Sequence, residues 1–138
     1  MTFRRISAIT LLILMFSTGF TSYAEKQPTL IKGYATAYIG ESEYTCTGDK
    51  VREGICGGCK AYLGKTIILY QRLPNDEVGQ ILGIWECLDT GTGTEGFQQG
   101  RVIDVYKPTL EECQEFMNLI YTNNAKGKVW IQVVEAEG

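Results

Sequence analysis

Apolar and polar positions divide the chain into short blocks. Residues 29–39 read Thr-Leu-Ile-Lys-Gly-Tyr-Ala-Thr-Ala-Tyr-Ile, rich in β-branched and aromatic side chains, and predict a strand that Gly40 ends. Residues 65–70 and 79–87 are apolar runs separated by Pro74-Asn75-Asp76, a turn signature, and predict two strands in hairpin-like succession. Residues 101–106 and 129–134 predict two more; Pro108 and Thr109 stop the first, and Lys126-Gly127 leads into the second. Between them Leu110, Cys113, Phe116 or Met117, and Ile120 recur at helical spacing. Thr109 followed by Glu112 fits a capping box, so one amphipathic helix is expected to run to about Tyr121. Residues 41–60 carry glycine, threonine, charges and three cysteines without a sustained period, which predicts a long loop pinned by its own thiols. Short strands with one late helix predict a mainly β fold, a small barrel with an inserted helix.

The first residues have a different character. Arg4 and Arg5 precede an apolar stretch over 6–16, and Ser22-Tyr23-Ala24 offers a small-residue cleavage site, so 1–24 reads as a secretory signal. The apolar run is shorter than the ~20 residues a spanning helix needs. An uncleaved anchor is the alternative, and both readings put residues 25–138, a single domain, outside the cytoplasm. No cysteine near the cleavage site offers a point of lipid attachment, so no stable membrane insertion is expected after cleavage. The formal charge is −3. An acidic chain without a basic stripe argues against a nucleic-acid partner.

Five cysteines, Cys46, Cys56, Cys59, Cys87 and Cys113, follow the signal segment. In an exported chain they predict at least one disulfide tying the 41–60 loop within itself or to a barrel cysteine, with Cys113 as the spare thiol on the helix's apolar face. Cys56-Gly57-Gly58-Cys59 has a redox or zinc spacing. It lacks the second ligand pair zinc needs and the following helix a thioredoxin-type site needs, so no metal or cofactor is expected.

The chain contains no histidine, which leaves acid–base chemistry mainly to carboxylates. Alternation along a strand puts Val102, Asp104 and Tyr106 on one face, so Asp104 projects among large neighbours. Excluding water there raises a carboxyl pKa toward the range where it first donates and then accepts a proton. The alternative is an aspartate anchoring a barrel turn through backbone N–H groups. Asp89 precedes Thr90-Gly91-Thr92-Gly93, where glycines let backbone donors approach a ligand, and a plain Asx turn is the competing explanation. Tyr34, Tyr38, Trp85 and Trp130 are candidates either for a sugar groove or for the core. No nucleophile elbow and no phosphate-cradling loop is present.

Tyr34-Ala35-Thr36-Ala37-Tyr38, Cys46-Thr47-Gly48, Leu63-Gly64, Asp89-Thr90-Gly91 and Ile103-Asp104-Val105-Tyr106, in that order, resemble the three-aspartate (3D) domain. That domain is similar to the catalytic part of MltA-type lytic transglycosylases and to stationary-phase muralytic proteins of Gram-positive bacteria. The resemblance covers about residues 33–134 and implies a six-stranded double-psi β-barrel. It also implies a secreted, cell-wall-associated bacterial enzyme that acts on peptidoglycan glycan strands and cleaves the MurNAc–GlcNAc β-1,4 bond with 1,6-anhydro ring formation. Asp104 would be the catalytic acid and base and Asp89 its support, with Thr36, Tyr38, Thr90 and Gly91 as substrate-binding candidates. The chain departs from the pattern where the family's first aspartate is expected. That position falls in Cys56-Gly57-Gly58-Cys59, and Asp49 lies too far upstream to replace it. Gln99 also stands where a lysine is often found. Two other functions fit the same residues: a glycoside hydrolase working with Asp89 and Asp104 as a pair, or a noncatalytic, expansin-like wall-binding module.

Overall fold

The computed structural model describes residues 27–40, 42–91, 94–122 and 125–135. The expected signal segment, and Thr92 and Gly93 of the glycine–threonine stretch, lie outside the described residues.

Six strands close a barrel: β1 Ile31–Tyr38, β2 Ile55–Gly58, β3 Thr66–Arg72, β4 Val78–Thr90, β5 Val102–Tyr106 and β6 Lys128–Val134. Their order around the barrel is β1-β5-β2-β4-β3-β6. The β1–β5 and β2–β4 pairs are parallel and the remaining neighbours antiparallel. A short helix α1, Glu95–Gln98, precedes β5, and a longer helix α2, Leu110–Tyr121, packs on β1 and β6 between β5 and the last strand.

The five strands and the helix expected from periodicity are all present, with boundaries moved by a few residues. The sixth strand, β2, lies inside the segment expected to be a loop. Its four residues are all buried, so Ile-Cys-Gly-Gly shows no inside–outside alternation to mark it. The turn at Pro74-Asn75-Asp76 is a 3-10 turn in which Asn75 and Asp76 take left-handed φ of 63° and 62°, conformations these side chains tolerate better than most.

The barrel is filled by Ile67, Leu69, Ile103, Val105, Val129 and Ile131, all fully buried. From α2 come Cys113, Phe116 and Ile120, with Phe116 meeting Trp85 edge to face at 5.8 Å between centroids. Trp85 is thus core, the competing reading of that residue. Leu110, expected on the helix's apolar face, is 62% exposed because it opens the helix before the barrel wall begins to cover it. Thr109 caps the helix: its hydroxyl accepts from the Glu112 N–H at 3.2 Å and donates to the Glu112 carboxylate at 3.0 Å. Gly33 lets β1 press against its neighbours, since a Cβ there would lie 2.5 Å from the Arg101 carbonyl oxygen and collide with Ile131.

All five cysteines are free thiols, so the expected stapling disulfide is not formed. Cys56 and Cys87 sit opposite one another on β2 and β4, fully buried, as a hydrogen-bonded pair of small core residues. That hydrogen bond, together with burial, pushes the Cys56 thiol far above its ordinary pKa and keeps it protonated and inert. Cys113 packs on the apolar face of α2 as expected, but with no bridge formed it is one of five free thiols and not a spare.

Candidate active site

Strand register builds the site. Thr36 on β1 faces Asp104 on β5, Asp104 faces Gly57 on β2, and Gly57 faces Asp89 on β4, so four adjacent strands contribute one row. Two strand spacings separate the aspartate backbones, roughly 10 Å. The strand between them carries only a buried glycine, so no side chain stands between the two aspartates, and a Cβ there would make ordinary contact with the β4 backbone at 3.7 Å.

Asp89 reaches this row through a bulge. Cys56 faces Cys87, yet the next residue of β2, Gly57, faces Asp89, so Leu88 is an extra residue on β4. Without that insertion Leu88 would stand opposite Gly57. The bulge re-aims the strand end and brings the second carboxylate into line with the first.

The two carboxylates are held differently. Oδ1 of Asp89 accepts the backbone N–H of Thr90 at 2.9 Å and of Cys46 at 3.2 Å. The second bond ties down the segment 42–51. Hydrogen bonds, that of the Cys46 thiol to the Leu88 carbonyl at 3.9 Å among them, therefore pin this loop without a disulfide. Asp49 turns back on its own loop, accepting from the Thr47 hydroxyl at 2.5 Å. Asp104 is half-buried and, among the described residues, accepts a single side-chain bond, from the Thr36 hydroxyl at 2.8 Å. Burial raises its pKa above the ordinary carboxyl value; the Thr36 bond opposes the rise and the negative charge of Asp89 adds to it.

Asp104 and Asp89 line one cavity of about 340 Å³ with Tyr38, Ser42, Tyr44 and Val51. The Tyr38 hydroxyl is buried without a hydrogen-bond partner among the described residues. Burial and the two carboxylates push its pKa up, so it stays protonated as a free donor beside them. Its ring meets Tyr106 edge to face at 5.7 Å.

Of the residues expected at the site, Asp104, Asp89, Thr36 and Tyr38 come together. Thr90 meets this group only through its N–H bond to Asp89, and Gly91 does not. They line a separate cavity of about 540 Å³ with Gly58, Cys59, Lys60 and Phe97. Gly91 is also explained by packing, because the Phe97 ring lies where its Cβ would be. The 42–51 segment borders the site, as a loop of its kind is expected to; Gly57 was not expected there, and its place depends on pairing between distant strands. Among the described residues no group of three or more cysteine, aspartate or glutamate side chains is arranged to hold a metal ion, and no helix is long and apolar enough to cross a membrane. Compared with known proteins, the chain matches no family model and no curated protein.

Proposed function

We propose that this protein is a peptidoglycan lytic transglycosylase of the three-aspartate type, exported to the cell wall, with Asp104 as its general acid and base. The observation that carries this reading is the contrast between the two carboxylates on one row. Asp104 is half-buried, raised in pKa and open to a cavity, whereas Asp89 is occupied by two backbone N–H groups. The closed barrel with two parallel strand pairs supports the double-psi type that this family implies.

In the proposed reaction, protonated Asp104 gives its proton to the glycosidic oxygen as the bond from C1 of the muramoyl residue breaks. The resulting carboxylate takes the proton of the muramoyl 6-hydroxyl while O6 bonds to C1 and closes the 1,6-anhydro ring. Asp104 ends protonated, ready for the next cycle, and no water is consumed. One carboxyl group serves both steps because an internal hydroxyl replaces the water that a hydrolase activates with a second carboxylate. The Thr36 hydroxyl holds Asp104 in place, and the Tyr38 hydroxyl is a donor free to bind a sugar oxygen.

Incubation with purified peptidoglycan followed by mass spectrometry of the soluble fragments tests the reading. Anhydro ends that disappear in Asp104→Asn support it. Reducing ends indicate the two-carboxylate hydrolase, and binding to insoluble peptidoglycan with no release indicates the noncatalytic wall module, which the glycine in place of a first aspartate favours.

A further inference from the structure

A second constellation lies on the outward face of the β1–β5 ribbon. Tyr34, Thr36 and Tyr38 alternate with buried Ala35 on β1, and Tyr34 faces Val102 one outward pair away from Thr36 and Asp104, roughly 7 Å along the strands. A cavity of about 360 Å³ opens there, lined by Lys32, Tyr34, Arg72, Arg101 and Val102. Three cations thus share one cavity in a chain whose net charge is −3.

Their compensation is incomplete. The Arg72 side chain is only 8% exposed, a position in which a guanidinium needs partners for its charge and its five donors. Among the described residues it gives one hydrogen bond, 3.2 Å to the Gly33 carbonyl, stands 3.6 Å from the Asp76 carboxylate, and has no partner at its Nε. The Asp76 carboxylate is already engaged by Lys32 at 2.6 Å. Arg101 is exposed and pairs with the neutral Gln99 amide oxygen, with no carboxylate partner among the described residues. Aromatic faces fill the remaining sides: Arg72 lies over Tyr34 at 5.6 Å and Trp130 at 5.9 Å, and Lys32 over Trp130 at 5.8 Å. The Tyr34 ring is 48% exposed at the rim.

From this arrangement we infer that the cavity of Lys32, Arg72 and Arg101 is an anion-binding site for a carboxylate or phosphate carried on a sugar-sized group that lies against Tyr34. One acidic side chain set among three basic ones leaves an excess of positive charge that an oxyanion completes, and planar guanidinium groups suit both carboxylate and phosphate geometry. The volume admits a single sugar-sized unit. This inference does not depend on what Asp104 does.

Isothermal titration calorimetry and thermal melts of the full chain at low ionic strength, with inorganic phosphate, sodium glucuronate and neutral glucose, test it. At least one of the two anions binds and raises the melting temperature, while glucose does neither. The tighter of the two identifies the source as phosphorylated or carboxylated. Arg72 is too buried for its variants to separate binding from folding, so the exposed Arg101 carries the test. Arg101→Gln is expected to weaken the anion at least fivefold and to reduce the shift in melting temperature at the same anion concentration. Absence of binding by both anions overturns the inference, as does Arg101→Gln binding as tightly as the parent.

Discussion

Replacing Asp104 by asparagine is expected to lower activity and raise stability together. Asparagine keeps the shape and an acceptor oxygen for the Thr36 hydroxyl, so the row across β1, β5 and β2 stays in place. What it removes is the proton. General acid–base catalysis contributes about 10²–10⁴ in rate, so peptidoglycan cleavage should fall by at least that range, about 3–5 kcal/mol in the barrier. Stability moves the other way. The carboxyl pKa of Asp104 is raised by burial, so the folded protein holds its proton more tightly than the unfolded chain. The cost of the buried charge is absent below the unfolded value of about 3.9, grows as pH rises toward the folded value, and is complete above it. Removing that charge should stabilise the protein at neutral pH by on the order of 1 kcal/mol once solvent screening of a half-buried group is allowed for, a few degrees in melting temperature. The same variant should show no gain at pH 3. Paired fragment release and thermal melts at pH 3 and pH 7 provide the assay. A variant that cleaves like the parent, or that melts lower at pH 7, would refute the reasoning.

Thr36→Val removes the hydrogen bond that favours the charged form of Asp104, so its pKa should rise further and the alkaline limb of the pH–rate profile should move to higher pH; an unmoved or lowered limb contradicts the assignment. Asp89→Ala frees the N–H groups of Cys46 and Thr90 at a cost of about 1–3 kcal/mol and should open residues 42–51 to limited proteolysis, whereas Asp89→Asn keeps an acceptor and should do both less. Complete loss of activity in a well-folded Asp89→Asn would instead indicate a working carboxylate pair. Gly33→Ala should destabilise by about 1–3 kcal/mol in chemical denaturation, because the new methyl meets the Arg101 backbone, which β1 and β5 cannot yield without shifting; a neutral result means the ribbon gives more freely than its packing indicates.

Periodicity was enough for the strands that bury one face and expose the other, and capping chemistry was enough for α2. It failed for β2, where four buried residues leave no alternation to read, and for α1, which is a single turn. Asp104 was legible for a local reason: Ile103 and Val105 are fully buried, and alternation turns Asp104 to the opposite face. The row it belongs to was not. Whether Gly57 stands between two aspartates depends on the register of β2 against both β4 and β5, and on one extra residue at Leu88, which no local pattern announces. The basic cavity is hidden in the same way, since Lys32, Arg72 and Arg101 lie far apart in the chain and meet only when the barrel closes.

The free cysteines and the missing first aspartate meet at one place. Cys56-Gly57-Gly58-Cys59 supplies a core thiol paired with Cys87, a glycine that puts no side chain between Asp104 and Asp89, and a second glycine whose Cβ would press on Cys87 and Tyr62 at 3.2–3.3 Å. A carboxylate at Gly58 would stand in that packing. The segment is buried on all four residues of β2, and its Gly58 and Cys59 border the separate cavity beside Thr90 and Gly91. Asp89, with two backbone hydrogen bonds, is tied to the 42–51 segment, whereas Asp104, held by one hydroxyl and pressed toward its protonated form, is the carboxyl to which the proposed reaction assigns the proton transfers.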